Sequence, residues 1–479
     1  MKKNAKLITL IFIFSLGFLL RIHAYLVNNS FFVDEILLAF NVIFKSYPQL
    51  LSPLQYSQAA PFLFLFLTKL ITSKLGFGEL AFRLIPFLSS IASVVAFYFL
   101  TKKVFDNFRA RILALFLFCI NFQLLFYTQV FKPYSSDILI TVLILLTAFS
   151  IDMKKIKWQH SFILGVLSSI AFCFSFTALF VILGVIFVHL CFSKAFKNTT
   201  IFFLPNLTAL IWYSAINLNT ITHSNYLNEY WANGFNILGL EIYKINYNFL
   251  FSFYNYPLFF IFLLIIGIVW LYKSDKFKTF ILISPIIITF IAAAFKIYPF
   301  ERRLILFLLP IFLIFIVIPF DKVKFDKNFL NILVIIVSLV FFINYAINYS
   351  TSFIVQRVSY LRQDVKPLLK ILINEKKKDD ILYIYYGSNP SYMYYSILMP
   401  IPKENLYKGI MLENNQNPLL AIEKDLLSIP KHKTVWLFFV KGNFQYEKDI
   451  KLYRDWVYKN GTIKKDIILK SARLIEMYL

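Results

Sequence analysis

Apolar runs of about 20 residues recur along this 479-residue chain, and they restrict its fold more than any other feature. A helix of that length rises about 30 Å, enough to cross the hydrocarbon core of a bilayer. Such runs lie near 7–27, 80–101, 110–127, 136–152, 159–174, 176–193, 200–217, 257–272, 278–295, 303–320 and 329–349. They predict an α-helical polytopic membrane protein with about 11 transmembrane helices. Residues are 59% hydrophobic, more apolar surface than a soluble protein of this size needs. The 57 phenylalanines suit lipid-facing surfaces and imply no cofactor.

A formal charge of +24 would suggest nucleic acid in a soluble protein. Here Lys and Arg sit mostly in short loops, where they set membrane orientation, and no basic stripe with interleaved aromatics occurs on a soluble segment. Anionic headgroups or a lipid-linked phosphate are the expected partners, with no nucleic acid. Cys119, Cys173 and Cys191 lie inside apolar segments without metal-ligand spacing, and the 5 histidines form no HxxxH or HExxH pattern. Lys2, Lys3 and Lys6 precede a long first run without a small-x-small cleavage site, so it reads as a retained helix. The Lys, Asn, Ile and Phe bias suits an AT-rich bacterial genome.

Orientation turns on the segment "PFLFLFLTKLITSKL" (61–75), which is apolar but short and interrupted by Lys69 and Lys74. If it does not span, the basic clusters at 2–6, 102–111, 154–157, 194–197, 273–278 and 322–327 all fall on the cytoplasmic side, as the positive-inside rule requires. We therefore expect 61–75, and residues 34–47, to be juxtamembrane helices on the outer surface. Residues 1–350 then form the transmembrane domain and 351–479 an extracytoplasmic one. In the latter, "DILYIYY" and "TVWLFFV" read as buried strands and "VKPLLKILINEKKK" as an amphipathic helix, a small α/β domain with no phosphate loop or nucleophile elbow.

This topology collects the unusual polar residues on one face. They are Asp34 and Glu35 in "SFFVDEILLAF", with Gln58 in the following loop; Lys132, Tyr134 and Asp137 in "YTQVFKPYSSD"; the loop 218–256 with His223, Glu229 and Glu241; and Glu301, Arg302 and Arg303 in "KIYPFERRL". Each has a plainer reading. Acids suit a helix N-terminus, and Lys132–Tyr134 suits an interfacial anchor. Arg302 and Arg303, however, oppose the positive-inside bias, and Asp137 stands about one turn inside a span, where a carboxylate is costly. A carboxylate can take a proton from an attacking hydroxyl, and cations can hold a phosphate as charge leaves on it. The set suits transfer from a lipid phosphate to an acceptor.

The order of these motifs resembles the GT-C superfamily of integral-membrane glycosyltransferases. The acidic pair after the first span, "GELAFRLIPFLSS" (78–90), "VFKPYSSD" (130–137) and "YPFERRLILFLLP" (298–310) look like its bacterial branch, related to protein O-mannosyltransferases and aminoarabinose transferases. The resemblance covers roughly residues 7–350. It implies a polyprenyl-phosphate-linked sugar as donor, a glycan, lipid or protein acceptor, inverting transfer, and catalysis on the outer face of the bacterial cytoplasmic membrane. By this resemblance Asp34 is the general base, with Glu35 as support or ligand. Lys132, Arg302 and Arg303 are the donor-phosphate contacts, and Arg83 is either another or a structural residue. Asp137, with Tyr134 and Gln58, is a candidate for acceptor or metal. Lys132 stands where relatives often carry Arg, so it offers a point charge without the bidentate fork. Asp34, Glu35 and Asp137 leave a divalent-cation site open, with no ligand spacing to specify one. The rival reading is a polytopic transporter or lipid flippase, which predicts charges spread through several interrupted helices. A scaffold using 351–479 to bind partners is a third reading, in which Asp34 is dispensable.

Overall fold

The computed structural model describes residues 3–193, 195–223, 257–300, 303–322, 339, 364–411, 418–442, 446–469 and 471–479. In chain order the helices are α1 (Lys3–Leu26), α2 (Val33–Phe44), α3 (Phe62–Leu75), α4 (Glu79–Val104), α5 (Phe108–Ile120), α6 (Phe122–Phe126), α7 (Tyr134–Ser150), α8 (Trp158–Phe174), α9 (Ala178–Val188), α10 (Phe196–His223), α11 (Pro257–Ser274), α12 (Lys276–Ala294), α13 (Leu309–Lys322), α14 (Val365–Glu375), α15 (Asn389–Leu398), α16 (Pro418–Leu427) and α17 (Tyr446–Asn460). The strands are β1 (Ile381–Ile384), β2 (Leu406–Lys408), β3 (Thr434–Val440), β4 (Thr462–Ile468) and β5 (Ala472–Tyr478).

The chain forms two compact units. One comprises Met1–Val27, Lys45–Ile71 and Phe82–Tyr349; the other comprises Asn28–Phe44, Thr72–Ala81 and Ser350–Leu479. The second unit is thus assembled from three separate stretches, and one of them carries Asp34.

The first unit is a bundle of apolar helices. Among the described residues, 4 helices are long and apolar enough to cross a membrane alone (in α1, α4, α10 and α12), and α5 with the segment beginning at α6 makes a further pair bent by 48°. Helices α7, α8, α9 and α11 are apolar but shorter. Helix α3 spans 14 residues. The expected span at 329–349 lies outside the described residues, apart from residue 339.

Polar residues end two of the apolar helices. Asn121 ends α5 and caps α6, its Oδ1 accepting from the N–H groups of Gln123 (3.0 Å) and Leu124 (3.2 Å). Ser175 ends α8, in extended conformation at φ −152°. Helix α13 is buried at every position from Leu309 to Phe320, the signature of a helix inside a bundle. It packs on α5, α7 and α11. Gly267 lets α11 lie against it: a Cβ there would overlap the backbone carbonyl of Phe315. Gly267→Ala is expected to destabilise the bundle by about 1–3 kcal/mol, since backbone cannot yield as a side chain can. A lowered melting temperature of the purified protein in detergent would report this, and an unchanged one would count against the close crossing.

The second unit contains a 5-stranded sheet in the order β2-β1-β3-β5-β4. Strands β2, β1 and β3 run parallel; β5 is antiparallel to both β3 and β4. Strands β1 and β3 are almost wholly buried, which explains their unbroken apolar sequences. One face packs Tyr383, Tyr385, Leu437, Phe439 and Ile475 against residues of α16 and α17. Helix α14 packs near β5 and buries Val365, Leu368, Leu369 and Leu372, the apolar face its sequence predicts.

Candidate active site

In the second unit, the acid pair occupies the first turn of α2. The N–H groups of Glu35 and Ile36 bond to the Phe32 carbonyl, so the helix starts there. Phe32 has no side-chain acceptor with which to cap its own helix. Glu35 substitutes: its Oε2 turns back to accept from the Phe32 N–H at 3.3 Å, the returning half of a capping box. Glu35 is consequently only 1% exposed. Asp34, one residue earlier, is half-buried. Both carboxylates gain from the positive end of the helix dipole. The structure therefore separates acids that the sequence presents as a pair: one is committed to the helix start, and the other sits closer to solvent.

In the first unit, Lys132 and Gln58 come together. Lys132 is 7% exposed, and its Nζ donates to Gln58 Oε1 at 2.7 Å. Lys132 precedes Pro133, the N-cap of α7, whose φ is −73°. Gln58 closes a turn in which Tyr56 (φ 62°) and Ser57 (φ 51°) both occupy the left-handed region. Neither residue is glycine or asparagine, so the turn carries strain of about 1–3 kcal/mol per residue. Backbone strain beside a buried ammonium is a feature that composition did not foretell.

Asp137 is buried in the first turn of α7. Its Oδ1 accepts from Ser175 Oγ at 2.6 Å, and Ser175 Oγ lies 3.1 Å from Thr177 Oγ1. The carboxylate thus meets hydroxyls presented by the break between α8 and α9. Tyr134 is also buried, its ring edge-on to Tyr127 at 5.0 Å. Arg83 lies buried in α4 at 2% exposure, and Arg303 is half-buried in the turn before α13. That turn is tied down by the Tyr298 hydroxyl, which donates to the Leu304 carbonyl at 2.9 Å. Glu301, Arg302, Glu229 and Glu241 lie outside the described residues, as does the side chain of His223. Among the described residues, no three His, Cys, Asp or Glu side chains group as ligands for a metal ion.

Sequence reasoning missed Arg21. It is fully buried in α1, and its guanidinium reaches two other helices, α4 and α5. Nε donates to Ser90 Oγ (2.9 Å) and to the Ser90 carbonyl (3.2 Å); Nη1 donates to the carbonyls of Gly17 (3.0 Å) and Cys119 (3.2 Å); Nη2 reaches the Phe118 carbonyl at 3.4 Å. The last turn of α5 loses its intrahelical donors where Asn121 breaks the run, and Arg21 replaces them. Ser90 Oγ also accepts from Thr128 Oγ1 at 2.8 Å, four residues before Lys132. An arginine inside a span was the available signal; which carbonyls would need it was not.

A bundle of apolar helices in one unit and a five-stranded sheet in the other form a fold that solved structures share. Its solved counterparts can be named. Over 99% of this chain and 98% of the other, it is similar to ArnT from Cupriavidus metallidurans bound to undecaprenyl phosphate, with a TM-score of 0.57 and 8% identity. The apo state of the same ArnT gives a TM-score of 0.59 at 8% identity, over 98% and 97% of the chains. The archaeal oligosaccharyltransferase AglB from Archaeoglobus fulgidus, in complex with an inhibitory peptide and a dolichol-phosphate, gives 0.51 at 10% identity, over 95% of this chain and 72% of that one. No protein-family model matches the sequence, and no curated protein matches it. At these identities the likeness is one of fold.

Proposed function

We propose that this protein is a glycosyltransferase that moves a sugar from a polyprenyl-phosphate donor to an acceptor hydroxyl. The observation that carries this reading is likeness along nearly the whole chain to ArnT in a structure holding undecaprenyl phosphate. A second structure of similar fold holds a dolichol-phosphate. The residues supply the chemistry the reaction needs. Asp34 takes the proton of the acceptor hydroxyl. The acceptor oxygen then bonds to the anomeric carbon as the bond from that carbon to the phosphate oxygen breaks. Because attack and departure occur on opposite faces, the sugar inverts. The departing polyprenyl phosphate carries the charge, which Lys132, Arg303 and Arg302 stabilise; Arg83 is a further candidate. Asp137, with Tyr134 and Gln58, is assigned to acceptor recognition. The basic loop clusters support an outer-face reaction, with residues 351–479 on the same side.

Removing the Lys132 ammonium should remove one charge-assisted contact to phosphate, worth about 1.5–3 kcal/mol. Lys132→Ala is therefore expected to weaken binding of undecaprenyl phosphate roughly 10- to 100-fold. Titration of the purified protein with undecaprenyl phosphate checks this, with Lys132→Arg restoring part of the loss. Equal affinity in Lys132→Ala and the wild type would remove Lys132 from the donor site.

A further inference from the structure

The second unit contains a polar clamp that the transfer mechanism does not use. Tyr395, in α15, is 1% exposed, with its hydroxyl turned to Phe31 and Glu79. It accepts from the Phe31 N–H at 2.9 Å and donates to Glu79 Oε1 at 2.9 Å. Lys366, in α14, meets the same carboxylate oxygen at 2.8 Å, and its ammonium also donates to the Asn28 carbonyl at 2.9 Å. The Lys366 N–H reaches Ser30 Oγ at 3.3 Å. Beside Tyr395, the Tyr394 hydroxyl donates to the Phe77 carbonyl at 2.7 Å, and its ring lies 5.1 Å from that of Phe31.

These bonds converge on two short stretches, 28–31 and 77–79. The first leads directly into α2. Asn28 holds the left-handed conformation (φ 46°), the Phe31 N–H is held by Tyr395, and the Phe32 N–H is held by Glu35. Three residues after Phe31 comes Asp34. A phenol that accepts a peptide N–H while donating to a carboxylate must keep its proton. Burial, reinforced by the Glu79 charge, pushes the Tyr395 hydroxyl well above the usual phenol range, so it does.

We propose that Tyr395, Lys366 and Glu79 are positioning residues through which the C-terminal α/β fold sets the place of the Asp34 carboxylate. The inference rests on the reading of Asp34 as general base, and it gives residues 364–479 a task in that reaction. None of the three needs to touch substrate. A base must sit within hydrogen-bond reach of the hydroxyl it serves, and a misplacement of about 1 Å can cost on the order of a hundredfold in rate.

The test uses the full-length protein in detergent and two measurements. Turnover is read as undecaprenyl phosphate released from a panel of undecaprenyl-phosphate sugars, and backbone hydrogen exchange is read on peptides covering 28–35. Tyr395→Phe should speed exchange at 28–35 with little change in the bundle helices. It should also lower kcat about 10- to 100-fold while leaving the donor KM within about twofold. Lys366→Met, which breaks the other arm, should do the same and serves if Tyr395→Phe fails to fold. Unchanged exchange at 28–35, or faster exchange with kcat per folded molecule unchanged, overturns the proposal. Asp34→Asn separates this failure from that of the functional reading. If Asp34→Asn turns over normally, the base assignment is wrong whatever the exchange reports. If it is inactive and Tyr395→Phe is not slowed, only the clamp is wrong.

Discussion

Asp34→Asn is expected to lower turnover by about 10²- to 10⁴-fold, the usual contribution of a positioned general base. Asparagine has the shape of aspartate and is tolerated near a helix start, so α2 should keep its first turn. Glu35, which supplies the cap to the Phe32 N–H, is untouched by the change. Donor affinity should stay close to wild type, because the proposed phosphate contacts are cations elsewhere in the chain. The effect should thus fall on kcat, as it does when an interaction made in the transition state is lost. Steady-state kinetics with a polyprenyl-phosphate sugar would check this. A donor KM raised with kcat intact would instead make Asp34 a binding residue.

The second large effect is expected at Arg21. Arg21→Leu leaves the carbonyls of Phe118 and Cys119 without the guanidinium donors that now reach them. Buried groups left without partners cost about 1–3 kcal/mol each, so a loss of about 2–4 kcal/mol is expected. Ser90 would also lose its Nε partner, and with it part of the link to Thr128 and the segment that leads to Lys132. Arg21→Lys keeps the charge but not the planar fork, and should recover only part of the loss. Thermal unfolding in detergent would measure both variants. A melting temperature unchanged in Arg21→Leu would mean that α5 ends stably without the arginine.

The parts of this architecture that were legible in the sequence are those set by local pattern. Run length marked the apolar helices, and interruption by Lys69 and Lys74 marked α3 as a short one. The apolar stretches at β1 and β3, and the amphipathic face of α14, were equally readable. Features that depend on distant partners were not. The run 110–127 reads as one span, yet Asn121 breaks it because its side chain caps a second helix. The strand order β2-β1-β3-β5-β4 follows from non-local pairing that no local pattern encodes.

The candidate site divides in the same way. An acid pair after the first helix was visible in "SFFVDEILLAF", but only the folded geometry shows that the Glu35 side chain turns back to the Phe32 N–H. Lys132 was picked out by its neighbours Pro133 and Tyr134; its partner Gln58, 74 residues away, was a separate candidate. The roles of Tyr395 and Glu79 depend on contacts spanning 316 residues, beyond any sequence window.

We propose that the chain cleaves a polyprenyl-phosphate sugar by transfer. That transfer is tested most directly by incubating purified protein with a panel of polyprenyl-phosphate sugars and acceptors and measuring released polyprenyl phosphate. Acceptor-dependent release from at least one donor is expected of the wild type, and its loss in Asp34→Asn. Movement of intact donor between the leaflets of a liposome without any release, as a flippase would give, or release that persists undiminished in Asp34→Asn, would contradict it.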